Sequence, residues 1–191
     1  MYFMNNKPKI AIVISSTRPG RICKEISQWV MGVMERDERL DLSFIDLLEI
    51  NLPFLDEPTM PALGQYQHEH TKVWSALVKS YDGFVFVLPQ YNWGYPAPLK
   101  NALDYLYVEW ADKPASIVTY GNHGGGKAAL QLQGVLQGLH MRNTSTNLAL
   151  SFNNEMLRED GAFKDIGSDF ASYEKPSLEL SAELYTILKN A

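Results

Sequence analysis

Apolar and polar positions follow two rhythms along this chain. Short unbroken apolar runs at Ile10–Ile14, Phe84–Leu88 and Ser116–Tyr120 predict strands buried on both faces. "LDLSFIDL" (Leu40–Leu47) alternates more loosely and predicts a strand at a sheet edge, and a last β-like stretch lies near Thr146–Leu150. Helical spacing fills the intervals. Ile22, Ile26, Trp29, Val30 and Val33 follow the first run, and Trp74, Leu77, Val78 and Tyr81 precede the run at Phe84. Leu99, Leu103, Leu106 and Tyr107 come after it, and Leu130, Val135, Leu136 and Leu139 follow Ser116–Tyr120. Strands alternating with helices in this order predict an α/β fold: a doubly wound, five-stranded parallel sheet with helices on both faces.

Two segments break the alternation. Asn51–His70 carries three prolines and two histidines and predicts a long excursion, of the kind that is often functional. Asn153–Pro176 is polar and irregular. The "SLEL" after it resembles a capping box and predicts a final helix starting at Ser177. Residues 1–191 are expected to form a single domain, with a flexible N-terminal tail over 1–7 and an irregular segment over 151–176.

Composition narrows the class. With 191 residues the chain can bury a core without crosslinks, and its one cysteine, Cys23, excludes an internal disulfide. The formal net charge of −5 disfavours nonspecific binding to nucleic acid or anionic membranes, so neither partner is expected. No apolar run is long enough to span a bilayer, and "MYFMNNKPKI" lacks the charged start and long apolar stretch of a secretory signal. A reducing, cytoplasmic setting is the expectation.

In an open parallel sheet ligands bind beyond the carboxyl ends of the strands, so the loops there hold the candidate chemistry. "SSTRPGRICKEI" (Ser15–Ile26) brings the hydroxyls of Ser15, Ser16 and Thr17 and the guanidinium groups of Arg18 and Arg21 to a helix N-terminus. Such a terminus favours an anion, and a phosphate monoester suits hydroxyl plus arginine recognition. A capped helix with solvated arginines is the plainer alternative. Neither Rossmann nor Walker glycine spacing occurs in this loop. Cys23 falls at the same helix start, where a small buried residue is expected and a thiol of lowered pKa is the alternative.

"PQYNWGYPAPLKNALDYL" (Pro89–Leu106) places Tyr91, Trp93 and Tyr95 among stiffening prolines, with Gly94 allowing close backbone approach and Asn92 able to donate and accept. These residues suit a planar heterocycle; an aromatic packing loop is the alternative. "YGNHGGGKAAL" (Tyr120–Leu130) nearly spells a Walker A loop with Gly121, Gly126 and Lys127, but Ala128 stands where a magnesium-binding hydroxyl is needed. Its free N–H groups can instead lie against a flat ring or its carbonyl oxygens. His123 can touch a ligand or serve only as a surface residue. His68 and His70 lack a completing metal-ligand pattern, and Glu109 and Asp112, conceivable as acid/base groups, are expected to be solvated at a helix end.

The three loops, in this order, resemble the NADPH-dependent FMN reductase family of flavodoxin-like fold, which includes quinone, azo-dye and chromate reductases. The resemblance covers roughly Pro8 to Leu150 and is closest to the quinone reductase branch. "PQYNWGYPAPLKNALD" is similar to the family's P-[EQ]-Y-N-x-x-x-P-x-x-L-K-N-x-[IL]-D signature, "ISSTRPGR" to its G-S-x-R phosphate loop, and "EDGAF" (Glu159–Phe163) to a C-terminal element of many members. The chain departs in having Ser15 for the usual glycine, and Arg21 and Cys23 where many relatives have serine and asparagine.

The resemblance implies FMN as cofactor and NADPH or NADH as hydride donor. Ser16, Arg18, Arg21 and Ile22 would surround the phosphate. Pro89, Gln90, Tyr91, Asn92 and Trp93 would line the isoalloxazine, and Tyr120, Gly121, His123 and Gly124 would close its pyrimidine side. Electrons would pass to a quinone, an azo compound or free flavin in ping-pong fashion, with no catalytic side chain assigned and with Asn51–His70 in the substrate-pocket wall. A homodimer or dimer of dimers is implied, its surface including the segment after Pro89. The rival from another class is a flavodoxin-like electron carrier or redox-responsive binding module acting on a protein partner.

Overall fold

The computed structural model describes residues 7–190; the tail expected over 1–7 lies, except for Lys7, outside the described residues. The strands are β1 (Lys9–Ile14), β2 (Asp41–Asp46), β3 (Gly83–Pro89), β4 (Pro114–Gly121), β5 (Arg142–Asn143) and β6 (Leu148–Ser151). The helices are α1 (Cys23–Met34), α2 (Leu47–Ile50), α3 (Glu69–Lys79), α4 (Ala97–Asp104), α5 (Gly126–Gly138), α6 (Ile166–Asp169) and α7 (Glu174–Lys189). The sheet runs β2-β1-β3-β4-β5, with β6 also paired to β4, and every pairing is parallel. This is the 2-1-3-4-5 order of flavodoxin-like sheets.

The apolar runs are continuous because both faces of the sheet are covered. Ala11, Val13, Phe84, Phe86, Leu88 and Ile117 face α3, α4 and α5 through Trp74, Val78, Leu99, Leu103, Leu132 and Leu136. The alternate residues, including Ile10, Ile12, Ile14, Val85, Val87 and Val118, face α1 and α7 through Ile26, Val30, Met34, Leu180 and Leu184. Burying one such side chain contributes about 1.5–3 kcal/mol, so neither layer is dispensable. The polar edges of the buried indoles are satisfied: Trp74 Nε1 donates to the Ala102 carbonyl at 2.9 Å and Trp110 Nε1 to that of Leu103 at 3.2 Å. As its loose alternation suggests, β2 is an edge strand.

Five local expectations are corrected. The fifth strand position is filled by two pieces. Between β5 and β6, Thr144 Oγ1 lies 2.8 Å from Ser116 Oγ and Asn147 Oδ1 accepts from the Ile117 N–H at 3.1 Å, so side chains replace part of the ladder. The last helix starts at Glu174, and Ser177 lies inside it with its hydroxyl donating to the Tyr173 carbonyl at 2.8 Å. Helix α4 ends at Asp104, leaving Leu106 and Tyr107 beyond it, and on α5 the buried residue is Leu132 whereas Leu130 is exposed. Glu109 is buried, accepting from Ser75 Oγ at 2.7 Å and from the Tyr66 hydroxyl at 2.9 Å. It thereby ties the end of the Asn51–His70 excursion to α3. No helix among the described residues is long and apolar enough to cross a membrane.

Candidate active site

Strand order reverses between β1 and β3, and the loops after β1, β3 and β4 meet above that point. They enclose a cleft of about 380 Å³. Arg18 and Ile22 line it from the first loop, Pro89, Gln90 and Tyr91 from the second, and Tyr120, Gly121, Asn122, His123 and Gly125 from the third. Phe152, just past β6, completes the wall. Most of the residues singled out in the sequence therefore come together in space.

The first loop is held without a side-chain cap. No side chain accepts from the first-turn N–H groups of α1, whose N-cap residue, Ile22, lines the cleft. Uncapped N–H groups at the start of a twelve-residue helix, beside the Arg18 side chain, form a site suited to a phosphate. The corresponding end of α5 is closed: Gln90 Oε1 accepts from the N–H groups of Lys127 and Ala128 at 3.0 and 3.2 Å. A phosphate in the Walker-like loop would need those same donors, so that reading loses its site.

The remaining predicted residues support the cleft instead of lining it. Ser16 is buried, and its hydroxyl meets the Tyr91 hydroxyl at 2.8 Å, joining the first loop to the second. Arg21 is not among the cleft-lining residues and forms a two-pronged pair with Asp46 at 2.7 and 2.6 Å. The guanidinium is held above its ordinary pKa by these hydrogen bonds. Burial pushes the Asp46 carboxyl up, but Arg21 and the Leu48 N–H outweigh it and leave it below the usual range.

Asn92 and Trp93 form the tip of a tight turn in which Tyr91 and Gly94 exchange two backbone hydrogen bonds of 2.9 Å. Both tip residues have positive φ, 46° and 72°. Gly124 packs on β6, where a Cβ would sit 3.0 Å from that of Ala149. Cys23 is buried, and burial raises its thiol pKa. Burial, with Cys23 alongside, likewise pushes the Tyr120 hydroxyl far up, so it stays protonated.

Sequence reasoning missed two features. Phe152 belongs to a segment with no local signal, whereas Asp46 could have been found, since an aspartate directly before "LLEI" is a capping position. Among the described residues no group of histidines, cysteines and carboxylates is placed to hold a metal; His70 Nε2 instead lies 2.9 Å from Asp56. A second, more apolar cleft of about 410 Å³ lies beyond Thr17, between Leu47–Phe54 and the start of α4. It contains none of the predicted cofactor residues, but the Asn51–His70 excursion does form one of its walls.

The fold and the cleft define a class: a doubly wound, flavodoxin-like protein with a cleft at its topological switch point. Family comparison sharpens this. The sequence profile of the NADPH-dependent FMN reductase family matches residues 8–155. The chain belongs to that family and is an oxidoreductase, which favours an enzyme over an electron carrier. It is 48% identical over 146 residues to the NAD(P)H-dependent FMN reductase C4B3.06c of Schizosaccharomyces pombe, covering 75% of this chain and 73% of that protein. It is 32% identical over 147 residues to a probable NADPH:quinone oxidoreductase 1 of Oryza sativa, covering 71% of each. In structure it resembles FerB, a flavoenzyme NAD(P)H:(acceptor) oxidoreductase from Paracoccus denitrificans, with TM-score 0.72 at 19% identity, covering 96% of this chain and 98% of that one.

Proposed function

We propose that the cleft at the switch point holds FMN and that the protein moves two electrons from NADPH or NADH to a small acceptor, a quinone, azo compound or free flavin. One observation carries this reading. The N-terminus of α1 is left without a side-chain cap where it opens on the cleft beside Arg18, while the N-terminus of α5 is closed by Gln90. Of the two helix N-termini at this cleft, that of α1 is thus the one open to a phosphate, and the cleft beyond it is walled by Pro89–Tyr91 and Tyr120–His123. No carboxylate lines that cleft, which suits an anionic ligand that takes on electrons.

Bound FMN would supply the redox chemistry, accepting hydride from the nicotinamide and returning electrons to the acceptor. The chain's residues bind and orient. Arg18 and the Ile22 end of α1 would hold the phosphate, with Ser16 held behind them by Tyr91. Pro89, Gln90 and Tyr91 would lie along the ring, backed by the Asn92–Trp93 turn, and Tyr120, Gly121 and His123 would close its far edge, backed by Gly124. Backbone N–H groups near Asn92–Trp93 would stabilise negative charge growing on the reduced ring. No side chain is assigned a proton-transfer role.

The same reading takes residues 1–191 as one FMN-binding domain, working in the cytoplasm as a homodimer or dimer of dimers. Its support for association is the large exposed side chains at Phe54, Met60, Leu63, Val73 and Trp93. The test is an anaerobic absorbance titration of FMN-reconstituted protein with NADPH, then NADH, followed by a quinone. Bleaching that the quinone reverses is the expected result. A yellow protein that neither nucleotide bleaches points to an electron carrier, and a protein that never retains flavin sinks the assignment of the cleft.

A further inference from the structure

Arg21 and Asp46 make a buried ion pair, their side chains only 11% and 5% exposed, at the edge of the first loop. The pair is more than a bond between two charges. Arg21 Nη1 also donates to the Ser16 carbonyl, and Asp46 Oδ1 accepts from the Leu48 N–H at 3.0 Å. Ser16 is therefore gripped through its carbonyl by the end of β2 and through its hydroxyl by Tyr91 from the loop after β3. Its neighbour Ser15 is fixed by its own N–H, which donates to the Val87 carbonyl at 3.1 Å. An isolated solvated arginine at a phosphate loop would be free to reach the ligand. This one has its fork committed to the protein, and the cleft is lined by Arg18 and Ile22 in its place.

We infer that Arg21 and Asp46 are positioning residues for phosphate recognition: the pair fixes the Ser16 carbonyl, and with it the direction of the hydroxyl and N–H groups of residues 16–18, without itself touching the ligand. The inference rests on the FMN reading of the cleft. Asp46 is an acid joined through Arg21 to the loop proposed to meet the anion. If Arg21 were a direct phosphate ligand, Asp46 would compete for its guanidinium and repel the anion, so removing the acid would strengthen FMN binding. If the pair positions the loop, removing the acid weakens it. The two cases differ in sign.

The experiment titrates apoprotein with FMN and with riboflavin, which lacks the phosphate, by quenching of flavin fluorescence, using wild type, Asp46→Asn, Asp46→Glu and Arg21→Lys. Charge-assisted hydrogen bonds of this kind set the scale: Asp46→Asn and Arg21→Lys should each weaken FMN by about tenfold or more. Riboflavin affinity should stay unchanged, and Asp46→Glu should recover part of the loss. Riboflavin in the same variant corrects for any loss of folded protein, and Arg21→Lys keeps the positive charge while losing the fork. Tighter FMN binding by Asp46→Asn, or an unchanged ratio of FMN to riboflavin affinity, overturns the inference. A wild type that does not prefer FMN to riboflavin overturns the phosphate reading itself, a result visible before any variant is made.

Discussion

Gly124, Gly125 and Gly126 stand side by side where the loop after β4 enters α5, yet a single added methyl group should act oppositely at the two ends of the run. Gly124 has φ +71°, and a Cβ there would lie 3.0 Å from the Ala149 Cβ and 3.1 Å from its carbonyl oxygen. The left-handed conformation costs alanine about 1–2 kcal/mol. Reduced freedom of the unfolded chain returns about 0.4–1 kcal/mol, and the clash with β6 backbone adds a further cost. The net destabilisation of Gly124→Ala is about 1–3 kcal/mol. Gly126 begins α5 with ordinary φ and open space around the Cβ position, so Gly126→Ala should gain about 0.4–1 kcal/mol.

For a chain of this size each kcal/mol moves the melting temperature by about 2–4 °C, so Gly124→Ala should melt about 2–12 °C lower and Gly126→Ala about 1–4 °C higher. Circular-dichroism melts at one pH and protein concentration test this directly. FMN titration should separate the pair the same way, because only the first change pushes the Gly121–Gly125 segment away from β6. A Gly124→Ala variant as stable as wild type would refute the reasoning that packing, and not flexibility, requires glycine there.

Gln90→Leu should lose about 1–2 kcal/mol in a urea melt, since the N–H groups of Lys127 and Ala128 lose their cap; no loss would mean Gln90 is not the cap. Asp46 has a folded pKa below its unfolded value of about 3.9, so its stabilisation is full above that pH and drains away as pH falls through the lower folded value. Asp46→Asn should therefore flatten the acid limb of a stability-against-pH profile below about pH 4, and an unchanged limb would remove the pair as its cause. The Tyr105 hydroxyl donates to Asp56 at 2.9 Å and to the Phe54 carbonyl at 3.1 Å, so Tyr105→Phe should speed limited proteolysis within 51–68 while leaving the cut pattern elsewhere unaltered.

What could be read in the sequence, and what could not, follows from the range of the interactions. Strands β1, β3 and β4 are legible as apolar runs because burial on both faces removes alternation, and the loops after them are legible because glycine and proline mark them. The pieces that escaped depend on partners far along the chain. Glu109 looks solvated until Ser75 and Tyr66 come within hydrogen-bond reach, 34 and 43 positions earlier. Arg21 looks like an anion ligand until Asp46, 25 positions later, takes its fork. Ser177 has the composition of a cap, yet its hydroxyl bonds four residues back inside a helix already begun. The break between β5 and β6 was hidden because Thr144 and Asn147 satisfy backbone groups through side chains, which no periodicity records.

The turn at Asn92–Trp93 concentrates the remaining argument. Two successive residues in the left-handed region are ordinary for Asn-Gly, but here the second is tryptophan, at a cost of about 1–2 kcal/mol that glycine would avoid. Burial does not offset it, because Trp93 is 65% exposed. The Lys127 ammonium, 5.2 Å from the ring centroid, returns about 0.5–1 kcal/mol at such an exposed position. The contacts within the chain therefore do not account for an indole at this place. Strain that the fold does not repay is found where a side chain must be presented to something else. On the proposed reading that something is the flat ring in the cleft or the neighbouring subunit, and the two converge at one turn. The chain thus exposes a costly aromatic residue in the turn that Tyr91 begins, and the Tyr91 hydroxyl helps hold Ser16 in the first loop.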